Sequence, residues 1–361
     1  MDVTSAPLPR NGARSKGKVL VTGDQGFLGT VIAPDLIAAG YDVVGLDVGW
    51  FADCTLESVH ETWPRWSCDL AAATREMFQG VDAVVHLAAL SNDPLGDLQP
   101  GVTDEINHLA TVRIAELARQ AGVKRFVFSS SCSTYGQAGD EFLDENADFR
   151  PVTAYGSSKV DAERGLAELA TDHFSPVYLR NATAYGFSPR LRLDLVVNDF
   201  VASALCEGRL VIKSDGTPWR PLVHVMDIGR AVRCALGAPS DAIHNRAFNI
   251  GQTVENFRVS QIAETVARAI PGTAIEYASG GSPDARCYRV NCDRAHRELP
   301  GFACDWTLER GVQDLVAQLQ RVGFGREHIA SRRFIRLARL KELQPTRGMV
   351  HSGHGHSPGL S

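Results

Sequence analysis

Lys18 to Thr22 is a short apolar run that ends in Gly23-Asp24-Gln25-Gly26-Phe27-Leu28-Gly29. A helical pattern follows at Val31, Ile32, Leu36 and Ile37, and Gly40 closes it. Strand, glycine turn and helix in that order constrain this chain more than any other stretch, because they start a βαβ unit that binds a dinucleotide. Gly23 permits the tight turn, Gly26 lets backbone approach a pyrophosphate, and Gly29 lets the helix pack on its strand. The open N–H groups of the first helical turn, around Gln25, Phe27 and Leu28, then face phosphate. The spacing is G-x-x-G-x-x-G rather than G-x-G-x-x-G.

A second strand, Tyr41 to Leu46, ends in Asp47, 18 residues beyond Gly29. A carboxylate there accepts hydrogen bonds from the adenosine ribose and repels a 2′-phosphate, so NAD is expected rather than NADP. A third strand end, Cys68-Asp69-Leu70, is expected near the adenine. Apolar runs at 18–22, 41–47, 81–87 and 124–131 alternate with helical stretches, of which 104–121 is the clearest. This is the pattern of an α/β fold with a doubly wound parallel sheet. Ligands of such sheets collect at the carboxyl ends of the strands.

Ser131 falls at one of those ends, and Tyr155 and Lys159 follow in a helix reaching about His173. Tyrosine and lysine at i and i+4 share a helix face, which puts an ammonium beside a phenol. The nearby positive charge favours the phenolate, so Tyr155 can exchange a proton with a substrate alcohol oriented by Ser131.

Size and composition narrow the remaining choices. At 361 residues the chain exceeds one ordinary core. Residues 1–17 read as a disordered tail, and 18–186 as a Rossmann domain to which 221–251 returns. Residues 187–220 and 252–325 form a smaller substrate lobe, and 326–361 a surface helix and disordered tail. A net charge of −5 gives no nucleic-acid footprint. Eight scattered cysteines without a C-x-x-C pair read as reduced core thiols. With no long apolar stretch and no leader-like start, a cytoplasmic protein without a membrane partner is expected. The tract His351, His354 and His356 reads as disordered tail, and no metal is expected.

Together these residues resemble the extended short-chain dehydrogenase/reductase family, in its nucleotide-sugar epimerase and dehydratase branch, over roughly residues 18–325. The resemblance rests on the glycine motif and on His86-Leu87-Ala88-Ala89. It includes Asn107, Ser131, Tyr155 and Lys159. It continues through Arg180 to Gly186, Arg220 to Asp227, and Phe248-Asn249-Ile250-Gly251. It implies that NAD, held among others by Leu87, Ala88, Ala89 and Asn107, takes a hydride from a nucleotide sugar and returns it. Tyr155, Ser131 and Lys159 are then catalytic, Lys159 also binds the nicotinamide ribose, and C4 epimerisation through a keto-sugar is the simplest outcome. It further implies a homodimer built through helices such as 104–121 and 153–173.

Departures from the family pattern matter too. The 4,6-dehydratases carry an Asp-Glu pair where this chain has Cys132 and Ser133, which marks dehydration down. Cys132 is left as either a weak acid or base or, preferably, a small residue packing against the sugar or nicotinamide. Thr183 replaces a usual asparagine, with Asn181 nearby, and Arg286 stands in for a late phosphate-binding arginine. Arg220 is the best pyrophosphate ligand, Asn198 is expected at the nucleotide, and Ser91 and Asn92 at the sugar. His86 and His224 read as structural. A keto-sugar reductase or oxidase, and less readily a dehydratase or a non-catalytic NAD-binding protein, are the alternatives.

Overall fold

The computed structural model describes residues 15–57, 62–91, 99–278 and 287–343. Fourteen strands occur among these residues. The first seven are β1 (Lys18–Thr22), β2 (Asp42–Asp47), β3 (Arg65–Ser67), β4 (Ala83–His86), β5 (Arg125–Ser131), β6 (Gln137–Leu143) and β7 (Ser175–Asn181). The rest are β8 (Thr183–Tyr185), β9 (Arg209–Ile212), β10 (Trp219–His224), β11 (Arg246–Ile250), β12 (Asn256–Arg258), β13 (Ala274–Tyr277) and β14 (Cys287–Val290). Eight helices carry the argument. They are α1 (Gly29–Ala38), α2 (Ala110–Gln120), α3 (Ala154–Glu168), α4 (Val196–Glu207), α5 (Val225–Gly237), α6 (Val259–Ala269), α7 (Leu308–Arg321) and α8 (Arg336–Leu343).

Seven strands form one sheet in the order β11-β7-β5-β4-β1-β2-β3, every neighbour parallel. The doubly wound α/β expectation is therefore met. Alternate residues of the central strands feed opposite faces, as the strand pleat requires. Val19, Val21 and Val85 pack into a core with Ile32 and Leu36 of α1 and Ile228 and Val232 of α5. Leu20, Val84, Phe126 and Phe128 pack into another with Ile114 of α2 and Ala162 and Leu166 of α3. A third core joins Val197 and Val201 of α4, Ile262 of α6 and Leu315 of α7, with Leu210 of β9 beneath.

Three elements depart from the sequence reading. Pro221 to Val225 was expected in the main sheet, but β10 pairs with β8 and β12 in a separate sheet of three. Its Leu222 packs into the third core and its Val223 into the first, an assignment that strand periodicity does not reveal. Residues 137–143 and 287–290 pair as β6 and β14, for which no expectation existed. The terminal basic stretch was expected to lie on the surface as one helix. Arg332 instead takes φ 55°, which separates a short turn at Arg326–Ala330 from α8. Phe334 and Leu340 are both buried. Of the expected tail at 1–17, residues 1–14 lie outside the described residues, as do 344–361 and the histidine tract; Lys16 N–H donates to the Gly40 carbonyl at 3.0 Å.

Glu255, in the turn between β11 and β12, ties that turn to α7. Its Oε2 accepts the N–H of Leu308 at 2.8 Å, at the start of α7. Burial pushes its carboxyl up to about 7 against that bond, with repulsion from Glu309 and Asp227 adding to the rise. A raised carboxyl contributes stability that is full below its unfolded value, 4.5, and lost as pH rises through about 7. Glu255→Gln keeps the acceptor and removes the charge. Urea denaturation at pH 5 and pH 8 should show the variant gaining on the wild type by roughly 2–3 kcal/mol at the higher pH. A constant difference across that window would exclude the assignment.

Candidate active site

One cleft of about 570 Å³ runs along the carboxyl ends of β1, β2, β4 and β5. At one end lies the glycine turn. Gly23 takes φ +72°, and a Cβ there would sit 2.7 Å from the N of Ala88. A Cβ on Gly29 would meet the carbonyl of Gly23 at 2.2 Å, so α1 cannot approach β1 with any larger residue. Asp24, fully buried, pins the turn by accepting from Trp63 Nε1 at 2.8 Å and Arg65 Nε at 2.7 Å.

Gly23, Gly26, Phe27, Leu28, Gly29, Asp47, Asp69, Leu70, Leu87, Ala88 and Ala89 all line this end. Asp47 accepts the N–H groups of Gln25 at 3.1 Å and Gly49 at 2.7 Å. Burial nevertheless pushes its carboxyl above the usual range, those N–H groups opposing. A glycine cradle that any Cβ would fill, with a carboxylate at the next strand end, fits a dinucleotide.

At the other end Ser131, Tyr155 and Lys159 line the same cleft. Thr153 caps α3 by accepting the N–H of Gly156 at 3.1 Å, which starts the helix one residue before Tyr155. Lys159 Nζ lies 5.8 Å from the Tyr155 ring centroid and 4.5 Å from that of Phe128, and donates to the Ser129 carbonyl at 2.8 Å. Burial lowers its ammonium to about 7, with the Glu163 carboxylate opposing. Such an amine can hold or release a proton near neutrality. Ser131 Oγ accepts from the N–H of Ser133 at 3.1 Å and its hydroxyl at 2.9 Å. Its own proton is thereby left for an oxygen in the cleft.

Ser91, Ser133, Asn181, Thr183 and Arg220 also line the cleft. Asn181 Nδ2 donates to Ser129 Oγ and the Ser130 carbonyl, whereas its buried Oδ1 has no hydrogen-bond partner among the described residues. Asn92 and Arg286 lie outside the described residues.

Four expected contacts are corrected. Gln25 does not line the cleft, and its N–H is spent on Asp47. Asn107 is fully buried in a π-helical turn, Glu105–Leu109, and grips Leu90 N–H at 2.8 Å, Leu90 carbonyl at 3.1 Å and Ser158 Oγ at 3.2 Å. It therefore positions the strand end and α3 rather than the ligand. Cys132 follows Ser131 and faces the opposite way, its thiol donating to the Arg180 carbonyl at 3.1 Å. Burial pushes that thiol well up, so it offers no ready thiolate. Asn198 is fully buried, and its amide spans the Gly186 N–H and carbonyl.

His86 and His224 are held neutral by burial, each lowered to about 3. The first bridges Thr22 and Thr111, and the second stacks on Trp306 at 3.9 Å.

Sequence reasoning missed the loop before α4. There Arg192 and Asp194 pair at 2.9 Å and line the cleft, with Arg192 Nη1 donating to Ser91 Oγ at 2.7 Å. The signal was present: Arg190-Leu191-Arg192-Leu193-Asp194-Leu195 alternates charge with leucine outside any regular strand. Arg192, Leu193, Asp194 and Leu195 all line the cleft, so the segment follows the cleft wall instead of turning alternate residues away from it.

Residues 19–251 match the model of the NAD dependent epimerase/dehydratase family. The chain belongs to that family, and its cofactor is NAD. It is 30% identical to the UDP-glucose 4-epimerase of Streptomyces lividans, over 70% of this chain and 80% of that one. It is 27% identical to the mouse UDP-glucose 4-epimerase, over 82% and 95%. Among solved structures, MoeE5 with UDP-glucose and NAD shows 29% identity and a TM-score of 0.74, over 84% of this chain and 99% of that one. The UDP-glucose 4-epimerase of Thermotoga maritima with UDP-glucose shows 25% identity and a TM-score of 0.73, with the same coverage.

Asp47→Asn should weaken the discrimination between the two cofactors. Titration of cofactor-free protein is expected to show the NAD-to-NADP affinity ratio falling about tenfold, a change near 1.4 kcal/mol. An unchanged ratio would mean that Asp47 does not read the ribose.

Proposed function

We propose that this enzyme is an NAD-dependent epimerase of a nucleotide-activated sugar, inverting C4 through a transient keto-sugar. The observation that carries this reading is that Ser131, Tyr155 and Lys159 share one cleft with the glycine turn and Asp47. Tyr155 takes the proton of the sugar hydroxyl while Ser131 holds the oxygen. NAD, held by the glycine turn and Asp47, would supply the acceptor for the hydride of that carbon and its return to the opposite face. Lys159 supports the tyrosinate, and Tyr155 returns the proton to the new alcohol. Arg220, Thr183 and Asn181 serve the nucleotide diphosphate, with Ser91 and Ser133 at the sugar.

Dehydration needs a further carboxylate acid and base beside Ser131. Positions 132 and 133 hold a thiol turned away and a hydroxyl. The cleft's carboxylates are Asp47 and Asp69 at the adenosine end, Asp194 paired with Arg192, and Asp199 paired with Lys213. The relatives' names make UDP-glucose the first substrate to test.

The described cysteines are all free thiols, which suits the cytoplasm. No helix among the described residues is long and apolar enough to cross a membrane. A homodimer through the face of α2 and α3, where Leu109 is 54% exposed, completes the reading.

Protein purified without added cofactor should interconvert UDP-glucose and its C4 epimer, followed by chromatography of the sugar nucleotides. Tyr155→Phe should lower turnover by about 100- to 10,000-fold while NAD content stays the same. Turnover that requires added NAD(P)H would favour a keto-sugar reductase. Full turnover in the variant would remove Tyr155 from the mechanism.

A further inference from the structure

The last helix carries a guanidinium into the cofactor cleft. Helix α8 lies beyond residues 19–251, which match the family model. Leu340 packs with Leu90, and Trp50, Phe51 and Ile106 border them. The helix therefore closes over the segments that follow β2 and β4, and Arg336 and Leu340 line the same cleft as Gly26 and Asp47.

Arg336 is 5% exposed. Its guanidinium lies 4.5 Å from the Phe51 ring centroid, and Nη2 donates to the Arg190 carbonyl at 2.8 Å. Arg190 Nε in turn donates to the Gln25 carbonyl at 3.3 Å, within the glycine turn. Arg336 Nη1 is buried with no hydrogen-bond partner among the described residues. A buried, charged donor left unused is costly unless a ligand completes it. Burial and the neighbouring Arg192 and Arg190 lower its guanidinium to about 10, against attraction from Asp194 and Cys54. Asp194 itself is bound to Arg192 at 2.9 Å. Arg192 lines the same cleft as Arg336, so an anion there would complete the unused donor of the buried Arg336 guanidinium.

Two anions could enter, the pyrophosphate of the dinucleotide and the diphosphate of the sugar nucleotide. The chain of contacts from Arg336 through Arg190 to Gln25 leads to the glycine turn, whose N–H groups face the dinucleotide pyrophosphate. We propose that Arg336 is a ligand of that pyrophosphate, so that α8 straps the cofactor into its cleft. This rests on the assignment of NAD as cofactor. A guanidinium fork suits phosphate oxygens, and an arginine on a terminal helix couples closure of that helix to cofactor occupancy.

The test uses cofactor-stripped full-length protein and calorimetric titration with NAD, ADP-ribose, adenosine and UDP. Arg336→Met should weaken NAD and ADP-ribose at least tenfold and leave adenosine and UDP within twofold. Because Arg336 is buried, hydrogen exchange of the wild type supplies a second measurement. ADP-ribose should slow exchange across residues 333–343, and adenosine should not. Undiminished ADP-ribose affinity in the variant, equal loss for adenosine, or exchange indifferent to ADP-ribose would overturn the proposal. A loss confined to UDP would move the guanidinium to the substrate and overturn it as well. Failure of the wild type to bind either NAD or ADP-ribose would bring down the cofactor assignment and the proposal with it.

Discussion

The buried ion pair between Arg180 of β7 and Glu163 of α3 is the contact on which the rest of the site depends. Arg180 Nη2 reaches Glu163 Oε2 at 2.7 Å, and Nε reaches both carboxylate oxygens at 3.1 and 3.2 Å. Ser130 of β5 donates to the same carboxylate, and Arg180 Nη1 donates to Tyr135 Oη at 3.0 Å. Burying two charges costs much of what their attraction returns, so the value of such a pair lies in geometry more than in stability. Glu163 is one turn beyond Lys159 and two beyond Tyr155, on the same helix face. Clamping Glu163 to two strands fixes the rotation of α3, and that rotation aims the phenol and the amine at the end of β5. The placement of Tyr155 and Lys159 is thus set in the core, below the cleft.

The cleft is polarised along its length. It carries Asp47 and Asp69 beside the ends of β2 and β3, Arg192 and Arg336 from the loop before α4 and from α8, and a hydroxyl, a phenol and an amine from Ser131, Tyr155 and Lys159. Negative charge at a strand end suits ribose hydroxyls, positive charge suits phosphates, and ionisable groups near neutrality suit proton exchange. The apolar lining from Leu87 to Leu90 and from Leu193 to Val196 lowers the local dielectric and strengthens each of these interactions.

Most of the central sheet was legible because β1, β2, β4 and β5 are largely buried apolar runs bounded by a glycine or polar turn, whereas β3, Arg65–Ser67, is short and only partly buried. The glycine turn, Asp47 and the Tyr155–Lys159 pair were legible because their spacing alone determines which face they share. What stayed hidden depends on contacts between distant segments. Asn107 and Asn198 have the right residue type for ligands, yet local backbone groups at Leu90 and Gly186 claim their amides. Cys132 neighbours Ser131 in sequence but faces the other side of the strand end. Arg336 reads as one basic residue among several, and only the packing of Leu340 onto Leu90 turns it inward. β10 has a strand's composition, but no local feature names its partner.

The central claim is that hydride leaves and returns at one carbon while Tyr155 moves the proton. UDP-glucose carrying deuterium at C4, turned over in ordinary water and read by mass spectrometry and NMR, tests it directly. The account predicts that the C4 epimer retains all of its deuterium at C4. Loss of the label to water, or its appearance at another carbon, would contradict the account.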